Sequence, residues 1–295
     1  MEKKRRKGIY LMLIAAFLFA LMGVFVKLLS QYMSSIQIVF LRNLVGAVFI
    51  ASSLINRPAR GKGGKPFLLI FRGVIGSLAL YALFYNMSTI GLGEAITYLQ
   101  TAPIFIALFS FLWLKERLSH VGWIAVFIGF SGILFVFRPG IAVDLKTNFI
   151  GLFNGIATAL AYTAIRELKK YYDTRAIVLS FMIAGIILPL LSMGAGELYG
   201  IKGLDFLFSG FVWPSGIAWI WILALGIVAM LGQVLMTMAY GEEKAGVIST
   251  IGYSNIVFAV ILGSMMGDPL PDIFEVVGMS LIILSGVIIS MRRNI

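Results

Sequence analysis

Residues 98–114 read YLQTAPIFIALFSFLWL, and KERLS follows at 115–119. Gln100, Thr101 and Pro103 therefore stand inside an apolar segment predicted over residues 93–114. At about 1.5 Å of rise per residue, such a segment crosses a bilayer core of about 30 Å. Polar side chains and a helix breaker are costly at that depth, because lipid offers no hydrogen-bond partners. The fold follows from the reason they are there.

The same pattern recurs along the chain. Of 295 residues, 60% are hydrophobic and 13% charged, about half the charge of a soluble domain. Spans are predicted near 8–30, 35–55, 66–88, 93–114, 118–137, 148–168, 176–194, 215–240, 244–266 and 271–291. The basic start, MEKKRRK, precedes an apolar run longer than a signal peptide's core and without an Ala-x-Ala site. It reads as an uncleaved first span. The class is an all-α integral membrane protein with ten transmembrane helices.

Charge orients it. With the N-terminus in the cytoplasm, the inner segments hold seventeen of the 24 basic residues, and the outer ones hold Arg138, Lys146 and Lys202. The net charge of +11 is thus a positive-inside signal, not a nucleic-acid footprint. Both termini are predicted cytoplasmic, in a multi-pass protein of the cytoplasmic (inner or plasma) membrane.

The halves are alike. IGLGEAITYLQTAPIFIALFSFLWLKERLS begins at 90, and YGEEKAGVISTIGYSNIVFAVILGSMMGDPLP at 240. Gly91 pairs with Gly241, Ala95 with Ala245 and Pro103 with Tyr253; after a two-residue gap, Glu116 pairs with Asp268 and Leu118 with Leu270. Five spans per half is odd, so the second copy enters the membrane inverted, an arrangement typical of secondary transporters. The predicted units are 8–137 and 148–291.

These segments, with RGVIGSLALYALFYNMST at 72–89, resemble the EamA family of the drug/metabolite transporter superfamily. The family pattern is a small-residue third helix, a Gly/Glu-Ala turn, a mid-helix proline and an acidic residue after the fourth helix. The resemblance implies a ten-helix inverted-repeat carrier with a central cavity and alternating access, exporting amino acids, nucleosides, cofactors or drugs. Here Tyr253 replaces the second proline and Asp268 the second glutamate. Whether both halves bend alike is left open.

The candidate substrate pocket is the polar and aromatic set at mid-depth: Tyr81, Tyr85, Asn86, Tyr98, Gln100, Tyr162, Gln233, Tyr253 and Asn255, with Pro103 as a kink beside it. The alternative is interhelical hydrogen bonding, worth about 0.6 kcal/mol on average. Four cations lie within spans. Lys27 and Arg166 sit near ends and can snorkel. Arg42 and Arg72 lie deeper; facing a cavity, they favour anionic or carboxylate-bearing substrates. Carboxylates fall near helix ends, and Glu94 is the nearest candidate for ion coupling. Glycine pairs such as Gly73/Gly76 and Gly151/Gly155 mark close helix packing.

Other classes find little support. There is no Cys and one His, His120, so no metal site is predicted and no cofactor is called for. No P-loop suggests an ATP-driven pump. A membrane enzyme would need an acid/base or metal cluster, and a channel a filter or charged ring. A lipid translocase or scramblase of the same fold remains the main alternative. The expected molecule is a non-enzymatic carrier, monomeric or weakly dimeric, whose partners are a small-molecule substrate and the bilayer.

Overall fold

The computed structural model describes residues 2–56, 63–114, 120–137, 144–168, 170–199, 204–242 and 251–292. The paired positions Glu116, Leu118 and Ala245 lie outside them, as do the side chain of Arg166 and much of the loop charge, Arg57, Arg60, Lys115, Arg117 and Lys244 included. Every regular element among the described residues is an α-helix. They are α1 (Glu2–Leu29), α2 (Ser35–Asn56), α3 (Pro66–Thr89), α4 (Leu92–Leu99), α5 (Ala102–Leu114) and α6 (His120–Phe137). α7 (Leu145–Leu168), α8 (Thr174–Tyr199), α9 (Ala218–Glu242), α10 (Ser254–Met265) and α11 (Ile273–Arg292) follow.

The ends are set by local chemistry. Ser34 Oγ accepts the Gln37 N–H at 3.3 Å and starts α2. Pro66 opens α3, where a missing N–H is harmless. Asp173 Oδ1 takes the Arg175 N–H at 2.8 Å in the first turn of α8. The Arg175 guanidinium also binds Asp173 and holds its carboxyl below the usual carboxylate range. α11 begins with a reciprocal capping box: Glu275 N–H to Asp272 Oδ1 at 2.9 Å, and Asp272 N–H to Glu275 Oε2 at 3.0 Å.

Among the described residues, α1, α2, α3, α7, α8 and α9 are long and apolar enough to cross a membrane; α6, α10 and α11 are shorter apolar helices. The segment predicted as one span over 93–114 is two helices, separated by a turn at Gln100 and Thr101. Pro103 accordingly does not kink a continuous helix. It stands in the first turn of α5, where it removes a donor that has no helical acceptor.

The helices pack mainly across the two halves: α1 against α9 and α10, α2 against α8 and α9, α3 against α7 and α8, α4 against α10, and α6 against α11. Among the fully buried large side chains, Tyr81, Phe84, Ile96, Tyr98 and Ile104 come from α3, α4 and α5. Phe67, Phe127 and Leu134 are more than 70% exposed on the outside of the bundle. A surface this apolar is suited to lipid tails.

Candidate functional site

The break between α4 and α5 is the centre from which the site is built. At Gln100 the backbone leaves the helix (φ −77°, ψ 0°). Thr101 N–H turns back to the Tyr98 carbonyl at 3.1 Å, and Thr101 Oγ donates to the same oxygen at 2.7 Å. The Gln100 side chain is released and donates from Nε2 to the Gly252 carbonyl at 3.1 Å. Gly252 lies beside a second interruption. Residues 251 and 252 are helical, Tyr253 is a turn, and α10 starts at Ser254. There Ile256 N–H bonds to the Tyr253 carbonyl, three residues back, at 3.0 Å. The Gly252 carbonyl is left to accept from Gln100.

The N-terminal half of α7 forms the wall beside the first break. Asn148, Gly151 and Gly155 share one helix face by their spacing. The Tyr98 hydroxyl donates to Asn148 Oδ1. Asn86 Nδ2 donates to the Thr147 carbonyl at 3.4 Å. A Cβ on Gly151 would meet the Tyr98 ring at 2.5 Å and Asn86 Nδ2 at 2.8 Å. One on Gly155 would overlap Thr101 Oγ and stand 2.9 Å from the Tyr98 carbonyl. Only glycine lets the break lie against α7. Lower on this wall, Asn154 Nδ2 donates to the Ala79 carbonyl at 2.7 Å.

The structure thus brings Asn86 and Tyr98, both buried, together against α7, and Gln100 to the Gly252 carbonyl just before α10; Asn255 is buried on α10 itself. The Oδ1 atoms of Asn86, Asn154 and Asn255 are buried without a hydrogen-bond partner. Buried amides normally pair, yet these three acceptors stand idle.

Other predicted residues are set apart. Tyr85 is not at mid-depth. Its hydroxyl donates to Asp205 at 3.3 Å and its ring lies 5.3 Å from Lys146 Nζ, in a clamp near the C-terminal end of α3 closed by the Lys146–Asp205 ion pair. The reason is position: nineteen residues of α3 after Pro66 raise Tyr85 by about 28 Å, nearly a full bilayer core. Tyr81 faces α8, 3.3 Å from Ser192 Oγ. Tyr253 is buried with its ring tip against Gly286 of α11. Tyr162 is 46% exposed on α7. Gln233 is half-buried on α9.

At the end of the bundle where α4 begins, Lys27 does not snorkel. It pairs with Asp268, whose other oxygen accepts the Leu92 N–H at 2.9 Å. One carboxylate thereby ties α1, the start of α4 and the loop after α10. Beside it a cavity of about 50 Å³ is lined by Glu94, Asp268, Glu275 and Met279. That volume suits a few waters, far below the about 300 Å³ of a small-molecule site. Glu94 Oε1 is buried there without a partner. Among the described residues no cluster of His, Asp or Glu could hold a metal.

Sequence reasoning missed Asn148, Asn43 and the pairing of Lys27 with Asp268. Asn148 is readable as an asparagine within a span, as is Asn154, which the sequence places in the mid-depth polar set. That Asp268 closes on a lysine 241 residues away was not readable.

Residues 6–138 match the EamA-like transporter family. An uncharacterized transporter of Helicobacter pylori is 34% identical over 96% of this chain and 94% of its own. The pseudopaline exporter CntI of Pseudomonas aeruginosa is 29% identical over 98% of both chains. Human solute carrier family 35 member G1 is 25% identical over 97% of this chain and 79% of its own. A solved crystal structure shares the fold at a TM-score of 0.62 with 16% identity, covering 100% of this chain and 99% of that one. A full-length relative above 30% identity, the family match and the all-helical apolar bundle agree: this chain belongs to the EamA-like transporter family.

Proposed function

We propose that this chain is a secondary transporter that exports a small metabolite across the cytoplasmic membrane by alternating access. In this reading its ten spans form two inverted five-helix repeats, 8–137 and 148–291, with both termini cytoplasmic. The observation that carries it is the bond from Gln100 at one helix interruption to the Gly252 carbonyl at the other. Interrupted helices that meet at mid-depth free polar groups for a substrate where a continuous helix would bury them. The helix pairing supports the repeat. Exchanging the halves turns α1–α9 into α7–α3 and α1–α10 into α7–α5, and leaves α2–α8 and α6–α11 as themselves. Names of relatives that include an exporter agree with the direction.

The substrate would contact Asn86, Tyr98, Gln100 and Asn255, with Tyr81, Tyr162, Gln233 and Tyr253 in the surrounding wall and Tyr85 at the outer rim. The tie of Lys27 and the Leu92 N–H to Asp268 closes the outer end in this conformation, so opening outward must break it. Glu94 is the group positioned to take up a proton as that end opens.

The test is counterflow in proteoliposomes over a panel of amino acids, nucleosides and organic acids, with and without an imposed pH gradient. At least one solute should exchange faster than in protein-free liposomes. Exchange of none would overturn the proposal. Glu94→Gln should keep counterflow and lose any acceleration by the gradient.

A further inference from the structure

Arg42 on α2 and Arg72 on α3 are each 7% exposed, deep in the bundle. Both guanidinium groups converge on the Phe181 ring of α8, at 5.8 Å for Arg42 and 4.5 Å for Arg72. They lie within electrostatic reach of one another, and Tyr162 of α7 within reach of Arg72. Among the described residues no carboxylate pairs with either. Arg42 Nη1 donates to Asn43 Oδ1 at 3.0 Å, while Arg42 Nε, Arg72 Nε and Arg72 Nη1 are buried without any hydrogen-bond partner.

Such an arrangement is costly as a packing device. A single buried unpaired charge is strongly unfavourable, and two of like sign repel as well. Cation–π contact with one shared ring offsets only part of that cost. A purely structural role is served by leucine or glutamine at both positions. The scaffold around the pair is rigid: Asn43 Nδ2 is tied to the Val39 carbonyl at 2.8 Å and to Gly185 at 3.3 Å, and Ser77 Oγ bonds to the Gly73 and Phe181 carbonyls at 2.8 and 3.3 Å. Preorganised, unpaired guanidinium groups beside an apolar ring fit an organic anion, with oxygens for the nitrogens and a carbon skeleton for Phe181.

We infer that Arg42, Arg72 and Phe181 form an anion site between α2, α3 and α8 that takes the carboxylates of a dicarboxylate solute. Two positive charges call for two negative ones, and the site draws helices from both halves. This rests on the transport reading above, and deepens it by naming the substrate class. An inorganic oxyanion or chloride could satisfy the same donors, so the test separates these sources.

The purified full chain is melted in detergent, followed by its tryptophan fluorescence, with succinate, glutarate, neutral succinamide, sulfate or chloride at matched ionic strength. The same solutes are tried in counterflow. Succinate or glutarate should raise the midpoint and succinamide should not. Arg42→Gln and Arg72→Gln should each weaken the apparent affinity at least tenfold, yet melt no lower than the parent without ligand, because each removes an uncompensated charge. Arg42→Lys and Arg72→Lys, which keep the charge but lose the planar fork, should weaken it less. Equal stabilisation by succinamide, absence of stabilisation by either diacid, or unchanged affinity in the Gln variants overturns the inference. Stabilisation by sulfate or chloride with no diacid effect overturns the dicarboxylate assignment. Counterflow of neutral solutes with no diacid binding leaves the transporter standing and this site refuted. Arginine-dependent diacid binding with no counterflow of any solute does the reverse.

Discussion

The interruption at Gln100–Thr101 and the one at Tyr253 face each other, yet they are built differently. In the first the backbone leaves the helix, two polar side chains are released and a proline begins the next helix. In the second the backbone stays right-handed helical (φ −64°, ψ −18°) and only tightens, through the Ile256 to Tyr253 bond. The first supplies a side-chain donor and the second a backbone acceptor. Each is seated against a glycine of another helix, Gly155 of α7 and Gly286 of α11. The difference teaches that proline is not what positions the two interruptions. A helix without one is interrupted too, where a tyrosine ring meets a glycine.

If so, the glycines matter more than the proline. Gly286→Ala is the most disruptive change, since its Cβ would fall on the Tyr253 hydroxyl and within 2.6 Å of Cε2 of a ring only 3% exposed. A loss of about 3 kcal/mol is expected, the upper end for overpacking, read as a lower melting midpoint. Tyr253→Phe in that background should recover part of it, because the ring remains in the way when the hydroxyl is gone. No recovery would place the strain elsewhere.

Gly155→Ala comes next, at about 2 kcal/mol. Thr101 can rotate, but the Tyr98 carbonyl at 2.9 Å is backbone and cannot. Counterflow should fall along with the midpoint, because the first break is displaced from α7.

Gln100→Leu removes the side-chain bond between the interruptions. About 1 kcal/mol of stability should be lost. The informative readout is transport: a drop in counterflow larger than that in Gly155→Ala at equal protein stability would mark Gln100 as a substrate contact. Pro103→Ala should do least, within about 0.5 kcal/mol, with counterflow kept. Loss of transport in Pro103→Ala alone would restore the proline as the cause of the bend and break the comparison.

Much of the bundle was legible because hydrophobic length is a local property: α1, α2, α3, α7, α8 and α9 fall close to where apolar runs predicted them. The fourth span was drawn as one helix because its apolar content is continuous, and hydropathy does not register a backbone that turns for two residues. Asn86, Tyr98, Gln100 and Asn255 are readable as polar groups within spans; Asn86 and Tyr98 meet against α7, and Gln100 reaches the Gly252 carbonyl. Tyr85 is readable on the same grounds, but rise along α3 takes it to the C-terminal end of that helix.

By itself the sequence determined the class, the helices and the deep polar residues, because lipid forbids unpaired backbone and penalises polarity wherever it occurs along a span. Only the tertiary structure decided which of those residues meet. Asp268 closes on Lys27, Gln100 reaches Gly252, and Arg42 and Arg72 share Phe181 without a carboxylate. These are contacts between helices far apart in the chain. Their existence depends on crossing geometry and glycine-sized clearances, which no periodicity within one helix records.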